Sequence, residues 1–403
     1  DFSMKTKYTI NEFLFKTYLI CVVLGCLLRN MFGEWKPIYD TYTFVSKGRW
    51  GTFFLNFSSI ILFVLIFRCI IHYIKKVHAG IRILLISLIF YYLIWTVLSL
   101  DKAPIQSVFF EAISTSVILL PVSALLGFDD NIWNILENEL LRINLLFCCC
   151  FYIAVFSFWS NYGINWPRNA SYKGIFSCWF TSACIMTFIE FHKKNKRKII
   201  YCNLLFIIAA AFITQSRGWV LQTLVLLFVF VAVLGNRNRY VKFLMGLLLI
   251  FIAILGVSYV FPEITGNLFN RGVEDTRSGQ YVIFFAQHSW KDLILGLGIN
   301  ASYSYLGNVN YTYFDNQFMF VMFHYGIFPV IVWLCVYASI LKNSKIYNGQ
   351  NRIVIQAAKF VGLFVLLAYM GVSTYYQIEL GYNGVIVMIL IGKALREKYY
   401  GKS

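Results

Sequence analysis

Long apolar runs separated by short polar segments fill most of the chain. A helix needs about 20 mainly apolar residues to cross a lipid bilayer, and about twelve segments meet that requirement. They lie near residues 11–31, 52–74, 80–100, 107–127, 143–163, 172–191, 198–215, 218–235, 241–261, 314–341, 353–374 and 381–396. The pattern predicts an all-α polytopic integral membrane protein with about twelve transmembrane helices.

One polar segment is much longer than the others. Residues 262–313 have mixed polarity and separate the ninth predicted helix from the tenth, whereas the other connections are short. No second soluble domain and no internal repeat can be recognised. We therefore predict a single transmembrane domain over residues 1–403, with 262–313 as one large loop on the outer side of the membrane.

The composition supports a membrane protein and excludes other classes. Hydrophobic residues make up 59% of the chain and charged residues only 13%, against about 25% charged residues in an ordinary soluble domain. The 19% aromatic content excludes an intrinsically disordered chain. The net charge of +17 is explained by basic cytoplasmic loops, so nucleic acid is not predicted as a partner.

The distribution of basic residues predicts the orientation. With the N-terminus in the cytoplasm, the predicted inner segments hold 21 Lys and Arg residues and the outer segments hold 10. This excess predicts that both termini are cytoplasmic. One inner loop, 128–142, carries Asp129, Asp130, Glu137 and Glu139, but acidic residues contribute little to orientation.

Cysteine and histidine residues give no sign of a metal site or a disulfide framework. All ten cysteines lie in apolar segments, and none falls in the polar stretch 262–313. No metal-ligand spacing is present, so we predict neither a metal ion nor a cofactor. His288 and His324 are isolated in the sequence and are interpreted as structural residues.

Arg217 is a candidate for binding an anionic substrate. It lies in a very short connection, Thr214-Gln-Ser-Arg-Gly218, between two apolar runs, at the predicted outer surface. A guanidinium group presents a rigid fork of donors that matches phosphate oxygens. The alternative is an arginine that reaches lipid headgroups from the end of a helix.

The long loop contributes further candidates. Arg277 precedes an amphipathic stretch, 281–290, and could instead pair with Asp275 or Glu274 within the loop. The turn Gly296-Leu-Gly298 that follows is weak evidence for a phosphate cradle.

Asp315 opens the tenth predicted helix, together with Asn316 and Gln317. An aspartate is a preferred residue at a helix N-cap. An ionisable residue at a membrane boundary is also a candidate for function, here as a general base that faces a polar cavity. The sequence leaves both roles open.

Four short motifs together resemble those of the O-antigen ligase/polymerase superfamily. They are Arg168 with Gly174-Ile-Phe176, Thr214-Gln-Ser-Arg217-Gly218, Arg277 followed by Gly296-Leu-Gly298, and Asp315-Asn-Gln-Phe318 followed by Tyr325-Gly-Ile327. The match covers about residues 160–340 and keeps the order of the motifs. The ligase branch has a histidine in the place of Asp315, so the chain is more similar to the Wzy-type O-antigen polymerases.

The resemblance implies an inverting, metal-independent glycosyltransferase at the periplasmic face of a Gram-negative inner membrane. Such an enzyme transfers a growing glycan from undecaprenyl pyrophosphate to the next lipid-linked repeat unit. The implied partners are undecaprenyl-pyrophosphate-linked oligosaccharide, membrane lipids and a chain-length regulator protein. Two alternatives remain open: an O-antigen ligase that transfers glycan to the lipid A core, and a flippase or other transporter of lipid-linked oligosaccharides.

The resemblance also implies roles for individual residues. Asp315, Arg217 and Arg277 would be catalytic. Six further residues would bind substrate: Arg168, Arg271, Tyr281, Gly298, Asn316 and Gln317.

Overall fold

The fold was analysed in a computed structural model of the full chain. The structure describes residues 2–31, 33–38, 41–46, 48–111, 113–162, 197–213, 223, 259, 276–305, 307–314, 316–341, 349–369 and 382–400. Three of the predicted helices, 172–191, 218–235 and 241–261, lie outside the described residues. The chain divides into two compact units: residues 1–29, 49–140 and 276–403 form the first, and 30–48 and 141–275 form the second.

The described elements are mainly helical. The α-helices are α1 (Phe2–Met31), α2 (Arg49–Tyr73), α3 (Ala79–Leu100), α4 (Ile105–Phe110), α5 (Asp130–Tyr162), α6 (Arg197–Ile213), α7 (Thr276–Gln287), α8 (Trp290–Leu295), α9 (Gln317–Tyr325), α10 (Phe328–Leu341), α11 (Gly349–Tyr369) and α12 (Tyr382–Tyr400). Two antiparallel hairpins pair β1 (Gly33–Ile38) with β2 (Thr41–Ser46), and β3 (Tyr303–Tyr305) with β4 (Asn308–Tyr311). Two 3₁₀ helices, Ile74–Lys76 and Thr115–Phe128, complete the set.

Five helical segments of the described chain are long and apolar enough to cross a membrane. They are Ile10–Arg29, Arg49–Lys76, Ala79–Leu100, Ile105–Phe128 and Asp130–Asn161. They coincide with the first five predicted spans, apart from shifts at their ends. This supports the predicted class of membrane-embedded helical protein.

The centre of the first unit is the 3₁₀ helix Thr115–Phe128, in which all fourteen residues are buried. It packs mainly against α12, α3 and α2. A Cβ atom on Gly392 would lie 1.7 Å from the carbonyl oxygen of Ala124, and one on Gly127 would lie 2.2 Å from that of Ile389. Glycine at these two positions therefore allows backbone-to-backbone contact between the two central helices.

The acidic segment that opposed the predicted orientation is not a loop. Apart from its first two residues, it forms the beginning of α5, which starts at Asp130. Lys393 Nζ lies 2.8 Å from Asp130 Oδ1, and Arg396 Nη2 lies 2.5 Å from Asp130 Oδ2. Asp130 thus forms ion pairs with two basic residues of α12, and these pairs offset its negative charge.

The neighbouring Asp129 is fully buried and has neutral partners. Asn11 Nδ2 donates to Asp129 Oδ2 at 2.8 Å, and the Asn131 backbone N–H donates to Asp129 Oδ1 at 3.0 Å. Arg68 Nε in turn donates to Asn11 Oδ1 at 2.7 Å. Because the sequence predicts that this end faces the cytoplasm, we call Asp129, Asp130, Asn11, Arg68, Lys393 and Arg396 together the inner-end network.

The tenth predicted span, 314–341, is not one continuous helix. It consists of α9 and α10, separated at Gly326, whose φ of 82° belongs to the left-handed region. The Phe318 ring lies 5.8 Å from that of Trp333, so α10 folds back beside α9 and does not extend it. The apolar pattern could not show this break because apolar residues continue through it.

The described part of the predicted outer loop, 276–305 and 307–313, has regular structure. It contains α7, α8 and the β3–β4 hairpin. The amphipathic stretch 281–290 lies across two helices: α7 begins at Thr276 and ends at Gln287, and α8 begins at Trp290.

Candidate functional site

The predicted site residues are only partly described by the structure. Arg168, Arg217, Arg271 and Asp315 lie outside the described residues. The backbone of Arg277 lies in the first turn of α7, but its side chain falls outside the described part. The remaining four belong to the first unit: Tyr281 lies in α7, Gly298 in the turn after α8, Asn316 at the N-cap of α9 and Gln317 in its first turn.

Two glycines from different motifs, Gly296 and Gly326, touch through their backbones. Gly296 has φ of 79°, so both glycines adopt a conformation that strains residues with a Cβ atom. A Cβ on Gly296 would lie 2.4 Å from the backbone nitrogen of Gly326, and one on Gly326 would lie 2.7 Å from the carbonyl oxygen of Ile294. The Ile327 N–H donates to that same oxygen at 3.2 Å. Glycine is therefore required on both sides of this contact, which we call the glycine clasp.

The Gly-Leu-Gly turn uses its backbone donors inside the protein. The Leu297 N–H donates to the Phe323 carbonyl at 2.8 Å, and the Gly298 N–H donates to the His324 carbonyl at 2.9 Å. A phosphate cradle needs free N–H groups that point at the anion. These two groups are occupied, so the structure gives Gly298 a packing role and does not support the cradle interpretation.

His324 is fully buried beside the clasp. Its Nδ1 lies 2.9 Å from the Gly298 carbonyl oxygen, and its Nε2 lies 3.1 Å from the Thr312 carbonyl oxygen. A neutral imidazole has one N–H and donates to only one of these oxygens at a time. The position between two backbone segments agrees with the structural role expected for this histidine.

Asn316 is the N-cap residue of α9, one position later than the sequence suggested. Its Oδ1 accepts hydrogen bonds from the backbone N–H groups of Phe318 at 3.0 Å and Met319 at 3.2 Å. The cap role proposed for Asp315 therefore belongs to Asn316. Asp315 itself lies outside the described residues, and its role as a general base stays a prediction.

Gln317 follows as a fully buried polar residue. Its Nε2 donates to the Phe314 carbonyl at 3.1 Å. Its Oε1 has no hydrogen-bond partner within the described part of the chain. A buried acceptor without a partner is costly, so Gln317 Oε1 has the capacity to accept a further hydrogen bond.

Gln280 was missed by sequence reasoning. It is buried in α7, and its Nε2 donates to the Tyr303 hydroxyl at 2.8 Å and to the Tyr313 carbonyl at 3.1 Å. One helical turn later, Phe284 is fully buried, with its ring 4.9 Å from Phe314 and 5.2 Å from Phe323. The spacing of Gln280 and Phe284 marks one helix face, but only the fold shows that this face meets α9.

The outer end of α3 supports the clasp from the other side. The Tyr91 hydroxyl donates to the Tyr325 carbonyl at 2.5 Å, and the Trp95 ring lies 6.1 Å from that of Tyr325. Asn300 Nδ2 donates to the Lys102 carbonyl at 2.9 Å. The clasp is therefore fixed both to α9 and to α3, a helix that is long and apolar enough to cross a membrane.

One charged group near the clasp, Asp292, is held by the cap of α8. The backbone N–H of Ser289 donates to Asp292 Oδ2 at 2.8 Å and holds the pKa of that carboxyl below its usual value. The Ser289 hydroxyl, at 3.3 Å, and His288, at 3.6 Å, act in the same direction. This carboxylate belongs to the N-terminal cap of α8.

Comparison with known proteins found no family model and no curated protein that matches the chain.

Proposed function

We propose that the chain is a glycosyltransferase that polymerises undecaprenyl-pyrophosphate-linked O-antigen repeat units at the periplasmic face of a Gram-negative inner membrane. The glycine clasp is the observation that carries this proposal. Gly296 and Gly326 belong to two motifs that resemble those of the O-antigen polymerases, and the two motifs pack directly on each other. Contact between them is what is expected if both serve one site.

The reaction needs a stabilised leaving group and a deprotonated acceptor hydroxyl. Arg217 and Arg277 would stabilise the pyrophosphate as its negative charge develops, since preorganised donors are most effective where charge appears. Arg168 and Arg271 would bind the same anion in the ground state. Asp315 would accept the proton of the acceptor, a contribution of about 10²–10⁴-fold.

Both neighbours of Asp315 in the chain are held by packing or hydrogen bonds. Phe314 is fully buried against Phe284 and Tyr303, with ring distances of 4.9 Å and 5.0 Å. On the other side, Asn316 is held by its two cap hydrogen bonds. A catalytic group works best when the residues around it are locked by packing and hydrogen bonds.

We also propose the full arrangement of about twelve spans with both termini cytoplasmic. The inner-end network supports it, because the start of α1, the end of α2, the start of α5 and the end of α12 meet there. All four would lie on the cytoplasmic side in the proposed arrangement. Single cysteines at Lys196 and Asn308, in a variant without native cysteines, should react with impermeant reagents from opposite sides. Labelling of both from the periplasm would contradict the arrangement.

Deletion and complementation in a strain that makes O-antigen test the activity. Loss of a polymerase leaves a single repeat unit on the lipid A core, whereas loss of a ligase leaves none. Loss of a flippase also leaves none and traps lipid-linked units in the inner leaflet. A ladder that returns to full length on complementation supports the polymerase; an empty core in the deletion strain would contradict it.

Substitutions then test the residues. Arg217→Ala, Arg277→Ala and Asp315→Asn should each lower polymer formation by at least about 10²-fold. Lysine should restore only part of the activity at the arginine positions, because a point charge does not replace a bidentate fork. Lys291→Ala and Asp292→Asn are charge-matched controls in the same loop and should retain activity. A fully active Asp315→Asn variant, present at normal protein level, would exclude the base role.

A further inference from the structure

Helices α7 and α8 and the turn after them carry an exposed apolar surface. Its five residues are Val282 (71% exposed), Trp290 (67%), Ile294 (54%), Leu295 (71%) and Leu297 (40%). We call this set the Trp290 surface. Exposed apolar clusters of this kind mark contacts with a membrane or with another protein.

The outward side of α7 is mixed in polarity. It exposes the apolar Val282 (71%) and, further along the helix, the amide of Gln287. The inward side buries Gln280 and Phe284. A helix with both kinds of exposed side chain suits a boundary, with Val282 towards hydrocarbon and Gln287 towards water.

The residues around the Trp290 surface suit the boundary between hydrocarbon and water. Tryptophan is enriched at this depth because its ring is both apolar and polar. Lys291 is exposed next to Trp290, and a lysine at the boundary extends its amine to the headgroups. Ser289 and Asp292, which form the polar cap of α8, lie on either side of these two residues in the chain.

The Trp290 surface lies next to α3, a helix that is long and apolar enough to span the membrane. A Cβ atom on Gly298, next to Leu297, would lie 3.6 Å from the Trp95 ring of α3. The last turns of α3 expose Val97 (65%) and Leu98 (51%). If α3 crosses the bilayer, these side chains face lipid. The Trp290 surface then lies next to a lipid-facing surface.

We propose that the Trp290 surface is embedded in the outer leaflet of the phospholipid bilayer, at the boundary between headgroups and acyl chains. Part of the predicted outer loop, residues 282–297, then belongs to the membrane and not to the periplasmic solution. The β3–β4 hairpin would remain in water, because Ser304 and Asn308 are exposed and polar. This proposal does not depend on the catalytic activity.

Nitroxide labels can measure the depth of each position directly. Single cysteines would be introduced as Val282→Cys, Trp290→Cys and Leu295→Cys in the full chain without native cysteines. The protein would be reconstituted in phosphatidylethanolamine/phosphatidylglycerol vesicles. Power saturation then compares collisions with oxygen, which concentrates in lipid, and with a nickel chelate, which stays in water. Val97→Cys serves as the lipid control, and Ser304→Cys and Asn308→Cys serve as water controls.

We expect the ratio of oxygen to nickel collisions at positions 282, 290 and 295 to be severalfold higher than at 304 and 308, and close to that at 97. Equal ratios at 290 and 304 would overturn the proposal. Low access for both reagents, with dipolar broadening between labels at 290, would show instead that a second copy covers the surface. Native Trp290 gives an independent measurement: lipids brominated near the headgroup should quench the wild type more strongly than Trp290→Phe, and equal quenching would contradict the proposal.

Discussion

The two ends of the first unit satisfy their buried polar groups in different ways. The inner-end network joins helices through charged side chains, such as Asp130 with Lys393 at 2.8 Å. The glycine clasp joins α8 to α9 through backbone hydrogen bonds and a neutral imidazole, that of His324. At the inner end, charged side chains connect the helix ends. At the outer end, closely packed glycines and backbone hydrogen bonds connect them.

The difference is consistent with a structural inner end and a functional outer end. Ion pairs tolerate variation in geometry because charge attraction is not strongly directional, and water beside the membrane reduces the penalty of burying them. The clasp depends instead on close backbone approach, so it fixes the end of α9 through backbone contacts and hydrogen bonds. Stability measurements can test this contrast.

The largest effect is expected when a side chain is added within the clasp. Gly326→Ala should lower the free energy of unfolding by at least about 3 kcal/mol, because the new Cβ would meet Ile294 and Tyr91 and the backbone would be strained. Gly307→Ala is the matched control: its φ of 80° gives the same strain, but a Cβ there would meet no atom within 4 Å. Unfolding in detergent should show a much smaller loss for Gly307→Ala. Equal losses would show that strain, and not contact, requires glycine.

In the inner-end network, substitution of the buried Asn11 should lower stability more than substitution of the half-exposed Asp130. Asn11→Ala removes a partner from both Asp129 and Arg68, so the free energy of unfolding should fall by about 1–3 kcal/mol. Asp130→Asn should have an effect below about 1 kcal/mol, because the Asp130 side chain is 54% exposed and solvent screens its ion pairs. Neither change should alter catalysis per folded molecule. A larger loss in Asp130→Asn would reverse this order.

Removal of the N-cap of α9 should lower stability by an intermediate amount, and an aspartate in its place should restore most of that stability. Asn316→Ala removes the acceptor of two backbone N–H groups, so stability should fall by about 0.5–2 kcal/mol. Asn316→Asp should keep most of the stability, since aspartate caps about as well as asparagine. Thermal unfolding of the three proteins at pH 7 provides the comparison. An alanine variant as stable as the wild type would show that the cap is dispensable.

The smallest effect concerns the pH dependence of α8. Asp292 has a folded-state pKa below the usual value of about 3.9. Its cap therefore stabilises the protein above that pH, and the contribution is lost as pH falls through the folded-state pKa. Asp292→Asn should be less stable than the wild type from pH 6 down to about pH 3.9, and the difference should shrink only as pH falls below that value. A difference that persists unchanged when the pH is lowered well below about 3.9 would argue against the capping carboxylate as its source.

The sequence predicted the first five spans because a membrane-crossing helix must be apolar along its whole length. It predicted neither the break at Gly326 nor the helices within 262–313. Apolar residues continue through the break, and short helices that rely on tertiary contacts have weak local signals. Asp315 and Asn316 are both good caps, so only the observed backbone could assign the cap to Asn316.

The sequence by itself determined the membrane class, the candidate residues and the resemblance on which the proposed function depends. Composition and hydrophobic runs are local properties, and a bilayer acts on each segment separately. Only the tertiary structure decided that Gly296 and Gly326 form one clasp and that Asp130 meets Lys393 and Arg396. These contacts join residues far apart in the chain, and no local pattern specifies such partners.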